Sequence, residues 1–147
     1  MTTLAADLRA RAILSRLGAN PRGVEVGVYR GALSRRLLVR RDLHLTMVDT
    51  WGGHRADYGD SGDFLAAHDE TEWHNIKENA DVHTRFADER RSIIQADSLA
   101  AASHVNDSSL DFVFLDADHS YAAIRDDLAA RGVLLEDSAA GTRWKRK

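Results

Sequence analysis

Four short apolar segments alternate with helical patterns along this chain of 147 residues, and this alternation constrains the fold more than any other feature. The segments are "GVEVGVY" (23–29), "LHLTMVD" (43–49), "RSIIQAD" (91–97) and "SLDFVFLDAD" (109–118). They show little of the regular alternation that a strand with one solvated face requires. We therefore expect them to be strands of a parallel sheet that is covered on both faces.

Helical periodicity fills the intervals between these predicted strands. The helical patterns cover residues 3–17, 31–41, about 64–88, 98–104 and 119–131. Strands that alternate with helices in this way form right-handed βαβ units. The sequence therefore predicts an α/β fold with a Rossmann-like, doubly wound, mainly parallel sheet and helices on both faces.

Length and composition narrow the class of protein. A chain of 147 residues suits one domain, which we divide into an N-terminal helix (1–22), a core (23–131) and a C-terminal strand with a basic tail (132–147). Twenty basic and 23 acidic residues give a net charge of −3, which indicates neither nucleic acid nor a membrane as an obligatory partner. No apolar run suits a membrane span, so we expect a cytoplasmic protein. The chain has no cysteine, which excludes disulfides but does not identify the compartment by itself.

Four acidic residues lie at or near the carboxyl ends of the predicted strands, namely Glu25, Asp49, Asp97 and Asp116. Ligands of doubly wound sheets bind beyond these ends, so the four side chains should converge on one rim. An acid two residues before Gly27 suits a cationic or uncharged ligand better than a pyrophosphate, and the third glycine of a dinucleotide fingerprint is missing. Asp49 is placed to bind a ribose diol, and Asp97 could accept a hydrogen bond from an adenine amino group.

The segments "VEVGVYRG", "LTMVDTWGG", "IIQADSL" and "FVFLDADHSYAAIRDDL" together resemble the class I S-adenosylmethionine-dependent methyltransferases. The likeness is closest to a bacterial and phage-borne subgroup with the motif D-A-D-H-S-Y after its fourth strand. The resemblance spans roughly residues 22–130. It implies S-adenosylmethionine as cofactor and methyl transfer to an oxygen atom of an unidentified acceptor.

The resemblance also implies which residues bind the cofactor. Glu25 with Gly27 and Gly31 would form the turn around its methionine part, and Asp49 would bind the ribose hydroxyls. Trp51 could be a lid over the cofactor or could simply pack within its loop.

Further along the chain, Asp97 and Ser98 would lie on the adenine side, and Asp116 would sit over the reacting methyl group. His119 could take the proton of the acceptor. Some relatives with this motif are metal-dependent O-methyltransferases, so Asp116 and Asp118 could help to hold Mg²⁺.

Simpler interpretations remain open for several of these residues. Asp49 and Asp97 could be turn-forming aspartates that accept backbone N–H groups, and residues 118–120 could cap the following helix. His68 and His74 are six positions apart, which does not match the spacing of a helical zinc pair, so we expect both at the surface.

The chain departs from the family pattern after Leu128. Residues 132–136 could be an abbreviated fifth strand, and only a short basic tail follows, so we expect the usual final strands to be lacking. An uncovered sheet edge invites pairing with another chain, and we therefore expect a homo-oligomer. Two alternative functions are a cofactor-binding remnant or interaction module without catalysis and, less favoured by Glu25, an NAD-binding domain.

Overall fold

Four parallel strands form the central sheet of the protein. The computed structural model describes residues 3–52, 67–106, 109–116, 133–136 and 143–146. The strands are β1 (Arg22–Val26), β2 (His44–Asp49), β3 (Arg91–Gln95) and β4 (Phe112–Leu115), in the spatial order β3-β2-β1-β4. Every neighbouring pair is parallel, so the predicted Rossmann-like sheet is confirmed.

Helices connect the strands in the order that the sequence predicts. They are α1 (Thr3–Leu14), α2 (Ala32–Leu38), α3 (Glu70–Thr84), which continues as a 3₁₀ helix (Arg85–Arg90), and α4 (Ser98–Ala102). The predicted helix over residues 119–131 lies outside the described residues. None of the described helices is long and apolar enough to cross a membrane.

A capping box fixes the start of α3, which the sequence placed near residue 64. The Asp69 side chain accepts the Glu72 backbone N–H at 2.8 Å, and the Glu72 carboxylate accepts the Asp69 backbone N–H at 2.9 Å. These reciprocal bonds satisfy two backbone donors that the first turn would otherwise leave unpaired. The helix therefore begins at Glu70.

The apolar core lies on both faces of the sheet. On one face α1, α2 and α3 pack over the strands, and the largest completely buried side chains there include Leu33, Leu37 and Met47. On the other face α4 packs against a smaller cluster that contains Val24 and Val26. Because side chains alternate along a strand, Glu25 points to the face opposite these two valines, towards the larger cluster.

The turn after β1 uses backbone conformations that favour glycine. Gly27 and Gly31 have φ angles of 89° and 74°, and Tyr29 between them has a φ of 53°. The first strand therefore ends at Val26. The sequence-based prediction that it extends to Tyr29 was wrong. The chain turns here into α2, whose first turn lies next to the end of the strand.

The C-terminal region contains a two-stranded antiparallel sheet. Its strands are β5 (Val133–Glu136) and β6 (Arg143–Arg146). The predicted strand at 132–136 is confirmed, but the prediction that only a basic tail follows it was wrong. A neighbouring antiparallel strand can satisfy the backbone N–H and C=O groups of a basic segment, which its composition alone does not indicate.

Replacing Gly31 with alanine should destabilise the fold. A Cβ atom at this position would lie 3.1 Å from Cα of Ala80. The alanine would also have to adopt the positive φ angle of Gly31. We expect Gly31→Ala to lower the free energy of unfolding by about 1–3 kcal/mol in urea titrations. Gly18→Ala is the matched control, because no atom other than those of Gly18 and its chain neighbours lies within 4 Å of its Cβ position. Equal effects of the two substitutions would contradict the strain at Gly31.

Candidate functional site

The carboxyl ends of three neighbouring strands meet at one edge of the sheet. The backbone N–H of Gly27 donates to the carbonyl of Val48 at 2.9 Å, and that of Asp116 donates to the carbonyl of Val26 at 2.8 Å. These bonds hold the carboxyl ends of β1, β2 and β4 side by side. We use the name carboxyl rim for the three acidic residues at this edge, which are Glu25, Asp49 and Asp116.

Glu25 is the buried member of the carboxyl rim. It is 1% exposed, and its Oε2 atom accepts a hydrogen bond from Oγ of Ser34 at 2.6 Å. Burial raises the pKa of Glu25 to about 8, opposed by the Ser34 hydrogen bond and assisted by the charges of Asp116 and Asp49. The carboxyl group therefore holds its proton at neutral pH, and the charges of the other two acids reach it.

Asp49 ties the turn after β1 to the end of β2. Its Oδ2 atom accepts the backbone N–H of Tyr29 at 2.8 Å, and its Oδ1 atom accepts that of Trp51 at 2.9 Å. The turn-forming interpretation of this aspartate is thus correct. It does not exclude a ligand, because a carboxylate offers about four lone-pair directions and these two bonds use only part of them.

The Trp51 ring packs inside the protein. The residue is 4% exposed and belongs to the larger core cluster, and its indole Nε1 donates to the carbonyl of Tyr29 at 3.0 Å. Of the two interpretations open from the sequence, packing describes this ring. Trp51 supports Tyr29 and Asp49, because its indole N–H bonds to the Tyr29 carbonyl and its backbone N–H bonds to the Asp49 carboxylate.

Asp97 and Ser98 lie beyond Asp49 at the same edge of the sheet. The backbone N–H of Ala96 donates to the carbonyl of Asp49 at 3.1 Å, which brings the end of β3 beside that of β2. Asp97 is the N-cap of α4, since its Oδ1 atom accepts the N–H of Ala100 at 2.7 Å. Its carboxylate is exposed, and Ser98 is half-buried at the start of the helix.

Asp116 is paired with a residue that the sequence did not indicate. Nη1 of Arg9, in α1, lies 2.6 Å from Oδ2 of Asp116. The two positions are 107 residues apart, and no spacing rule links them. Asp118 and His119, the other residues predicted here, lie outside the described residues. Within the described ranges, no group of three or more His, Cys, Asp or Glu side chains could hold a metal ion.

The sequence also did not indicate an aromatic cluster next to the carboxyl rim, which consists of Tyr29, His68 and Trp73. His68 Nε2 lies 3.4 Å from the Tyr29 hydroxyl, and the His68 ring lies 5.2 Å from that of Trp73, between centroids. The His68 side chain is 19% exposed, so its prediction as a surface histidine was wrong. His74 is exposed, as predicted. The packing partners of His68 come from a turn 39 residues away and from α3, which explains the difference.

Residues 24–139 match the profile of a protein family described as "Methyltransferase domain". The match covers well over half of the chain, and the chain therefore belongs to this methyltransferase family. The bacterial and phage-borne subgroup stays a prediction.

Solved structures of methyltransferases share the fold. A Staphylococcus aureus protein assigned as a caffeoyl-CoA O-methyltransferase aligns with a TM-score of 0.56 and 20% identity, over 88% of this chain and 51% of its own. A Methanococcus maripaludis protein assigned as an S-adenosyl-L-methionine-dependent methyltransferase aligns with a TM-score of 0.55 and 17% identity, over 86% and 49%. The chain thus spans about half the length of these proteins.

A local sequence likeness links the chain to a different class of enzyme. Cysteine–tRNA ligases of Lacticaseibacillus casei and Lacticaseibacillus paracasei are 39% identical to it over 62 residues. This stretch covers 42% of the chain and 12% of each ligase. The chain therefore spans only a small part of these relatives.

The raised pKa of Glu25 makes a prediction about stability. Unfolded, the group titrates near its ordinary value of 4.5, and folded it titrates near 8. Between these values the folded state holds a proton that the unfolded state has released, so the free energy of unfolding falls as pH rises, by at most about 1.4 kcal/mol per pH unit. Glu25→Gln cannot titrate and should lack this fall.

The measurement is urea unfolding of the two proteins from pH 4.5 to pH 9. We expect the stability of the wild type, relative to Glu25→Gln, to decline through this window and to level off above pH 8. Parallel stability curves for the two proteins would show that Glu25 has no raised pKa.

Proposed function

We propose that the carboxyl rim binds S-adenosylmethionine and that the protein transfers its methyl group to an oxygen atom of an acceptor not yet identified. The observation that carries this proposal is the environment of Glu25 within a methyltransferase-family fold. A carboxyl group is buried there beside two further acids, and burial together with their charges raises its pKa to about 8. A ligand with positive charge would lower the free energy needed to ionise Glu25 beside the other two acids, whereas a pyrophosphate would raise it.

The residues at the rim suit the cofactor chemically. S-adenosylmethionine is positively charged at sulfur and at its amino group, and when bound it supplies a methyl group that a nucleophile can take from sulfur, with the thioether as the leaving group. Glu25 would face the amino group, because a nearby cation favours release of the carboxyl proton. Gly27 and Gly31 have positive φ angles, and the turn that they shape would surround this part of the ligand.

Asp49 would bind the ribose hydroxyls with the lone pairs that Tyr29 and Trp51 leave available. The same two backbone bonds hold its carboxylate in a fixed orientation, so little side-chain freedom is lost when a ligand binds. Asp97 and Ser98, one strand further out, would contact the adenine side. Trp51 would act through its support of Asp49 and not as a lid.

The acceptor side of the site is assigned to Asp116 and His119. Asp116 would orient the acceptor near the methyl group, and His119 would take the acceptor's proton, because a histidine titrates near neutral pH. Mg²⁺ at Asp116 and Asp118 stays a prediction from the family resemblance, and Asp116 is paired with Arg9 in the structure. The homo-oligomer and the cytoplasmic location also stay predictions.

Binding and turnover are separate parts of this proposal. The chain spans about half the length of the solved methyltransferases, so cofactor binding and methyl transfer to an acceptor are tested separately. A cofactor-binding module without turnover is therefore the second candidate function. Both candidates require binding of S-adenosylmethionine or of S-adenosylhomocysteine, whereas the NAD-binding alternative does not.

Isothermal titration with S-adenosylmethionine, S-adenosylhomocysteine and NAD tests the proposal directly. We expect both sulfur compounds to bind and NAD to bind weakly or not at all. Asp49→Asn should weaken both affinities by about tenfold or more, because the amide loses the charge and an acceptor oxygen. A protein that binds NAD and neither sulfur compound would contradict the proposal.

The matched control for Asp49→Asn is Asp111→Asn. Asp111 directly precedes β4, at the opposite end of the sheet, and its carboxylate also accepts a backbone N–H, that of Arg22 at 2.8 Å. We expect this substitution to leave both affinities unchanged. Equal losses in the two variants would show that the effect of Asp49→Asn comes from general destabilisation.

A further inference from the structure

The N-terminal helix brings an arginine to the carboxyl rim. Besides the 2.6 Å contact between Nη1 of Arg9 and Oδ2 of Asp116, the Arg9 guanidinium carbon lies 5.6 Å from the centroid of the Phe114 ring. This distance is typical of a cation–π interaction. Two contacts therefore hold the guanidinium at the end of β4.

The two partners of this ion pair differ in their exposure. The Arg9 side chain is 41% exposed, whereas that of Asp116 is 17% exposed. Ion pairs with this much access to water contribute little to folding stability. The main effect of the pair is therefore that Arg9 reduces the negative potential of Asp116 at neighbouring groups.

Helix α1 has other attachments to the protein. Its Ala6 and Ala10 side chains are buried, and its Asp7 forms an ion pair with Arg36 of α2. These contacts do not involve Arg9. Removal of the Arg9 side chain should therefore leave the helix packed on the sheet.

The charge of Asp116 reaches the interior of the site. It is one of the causes that raise the pKa of Glu25, so the two groups interact electrostatically. The guanidinium of Arg9, which is paired with Asp116, offsets part of this negative charge. The balance between Arg9 and Asp116 thus sets how negative the carboxyl rim is.

We propose that Arg9, as the counter-ion of Asp116, sets how strongly the carboxyl rim prefers a sulfonium cation over the neutral thioether that remains after methyl transfer. This inference rests on the proposed function. Arg9 acts through Asp116 and is a positioning residue.

The chemical step explains why this preference matters. When the methyl group moves to the acceptor oxygen, the carbon–sulfur bond breaks, sulfur keeps the electron pair and loses its positive charge, and the acceptor's proton passes to a base. A rim that is too negative would stabilise the cationic reactant more than the transition state, in which this charge is already reduced, and would slow the transfer. Arg9 limits that stabilisation.

The test compares affinities for S-adenosylmethionine and S-adenosylhomocysteine, which differ in the charge on sulfur and share their amino group and nucleoside. The quantity measured by calorimetry is the ratio of the two dissociation constants, thioether over sulfonium. In Arg9→Gln we expect this ratio to rise about three- to tenfold. Salt of about 1 M, where the screening length is near 3 Å, should reduce the rise.

Two matched variants separate charge from structure. Arg9→Lys keeps the positive charge and should keep the ratio within about twofold of the wild type. Arg11→Gln removes a charge from an exposed position on the same helix and should also leave the ratio unchanged. In Asp116→Asn the ratio should fall, because the rim loses a negative charge.

The outcomes distinguish this inference from the proposed function. If the wild type binds both ligands and Arg9→Gln leaves the ratio unchanged, the inference is overturned and the proposed function stands. If the wild type binds neither ligand, the proposed function is overturned and this inference with it. If Arg9→Gln fails to fold, the Asp116→Asn variant decides, and a ratio that does not fall there overturns the inference.

Discussion

The burial of one carboxyl group, that of Glu25, constrains how the sheet edge with the candidate site is built. A buried acid must be neutral, hydrogen-bonded or balanced by a cation, because an isolated charge in the interior is too costly. Glu25 holds its proton at neutral pH and accepts a hydrogen bond from Ser34 of α2. It stands in the strand that lies between β2 and β4, and Asp49 at the end of β2 and Asp116 directly after β4 are therefore its neighbours.

The surrounding structure serves both stability and the proposed chemistry. Asp49 fixes the turn after β1 through two backbone bonds and keeps lone pairs available for a ligand. Asp116 extends from β4 towards Arg9, which moderates its charge. Each acid of the carboxyl rim thus has a different partner, namely a hydroxyl, two backbone amides or a guanidinium, and the partner sets what that carboxyl group can offer to a ligand.

The sequence predicted the parts of this structure that depend on local pattern. Apolar runs without alternation gave the four parallel strands, and an acid at or near the end of each run located the rim. The parts that it missed depend on residues far apart in the chain. Arg9 reaches Asp116 across 107 positions, and His68 packs against Tyr29 across 39, so neither contact has a spacing that could reveal it. The strand β6 was missed because its pairing with β5, and not its basic composition, makes it a strand.

The most direct test of the central claim is the number of protons released when S-adenosylmethionine binds at pH 7. It is obtained by calorimetry in buffers of different ionisation enthalpy. Because Glu25 has a pKa of about 8 in the free protein, it is mostly protonated at this pH, and a cation bound beside it should expel that proton. We expect release approaching one proton in the wild type and none in Glu25→Gln. Binding without proton release, or with equal release in both proteins, would contradict the claim that Glu25 faces the cationic ligand.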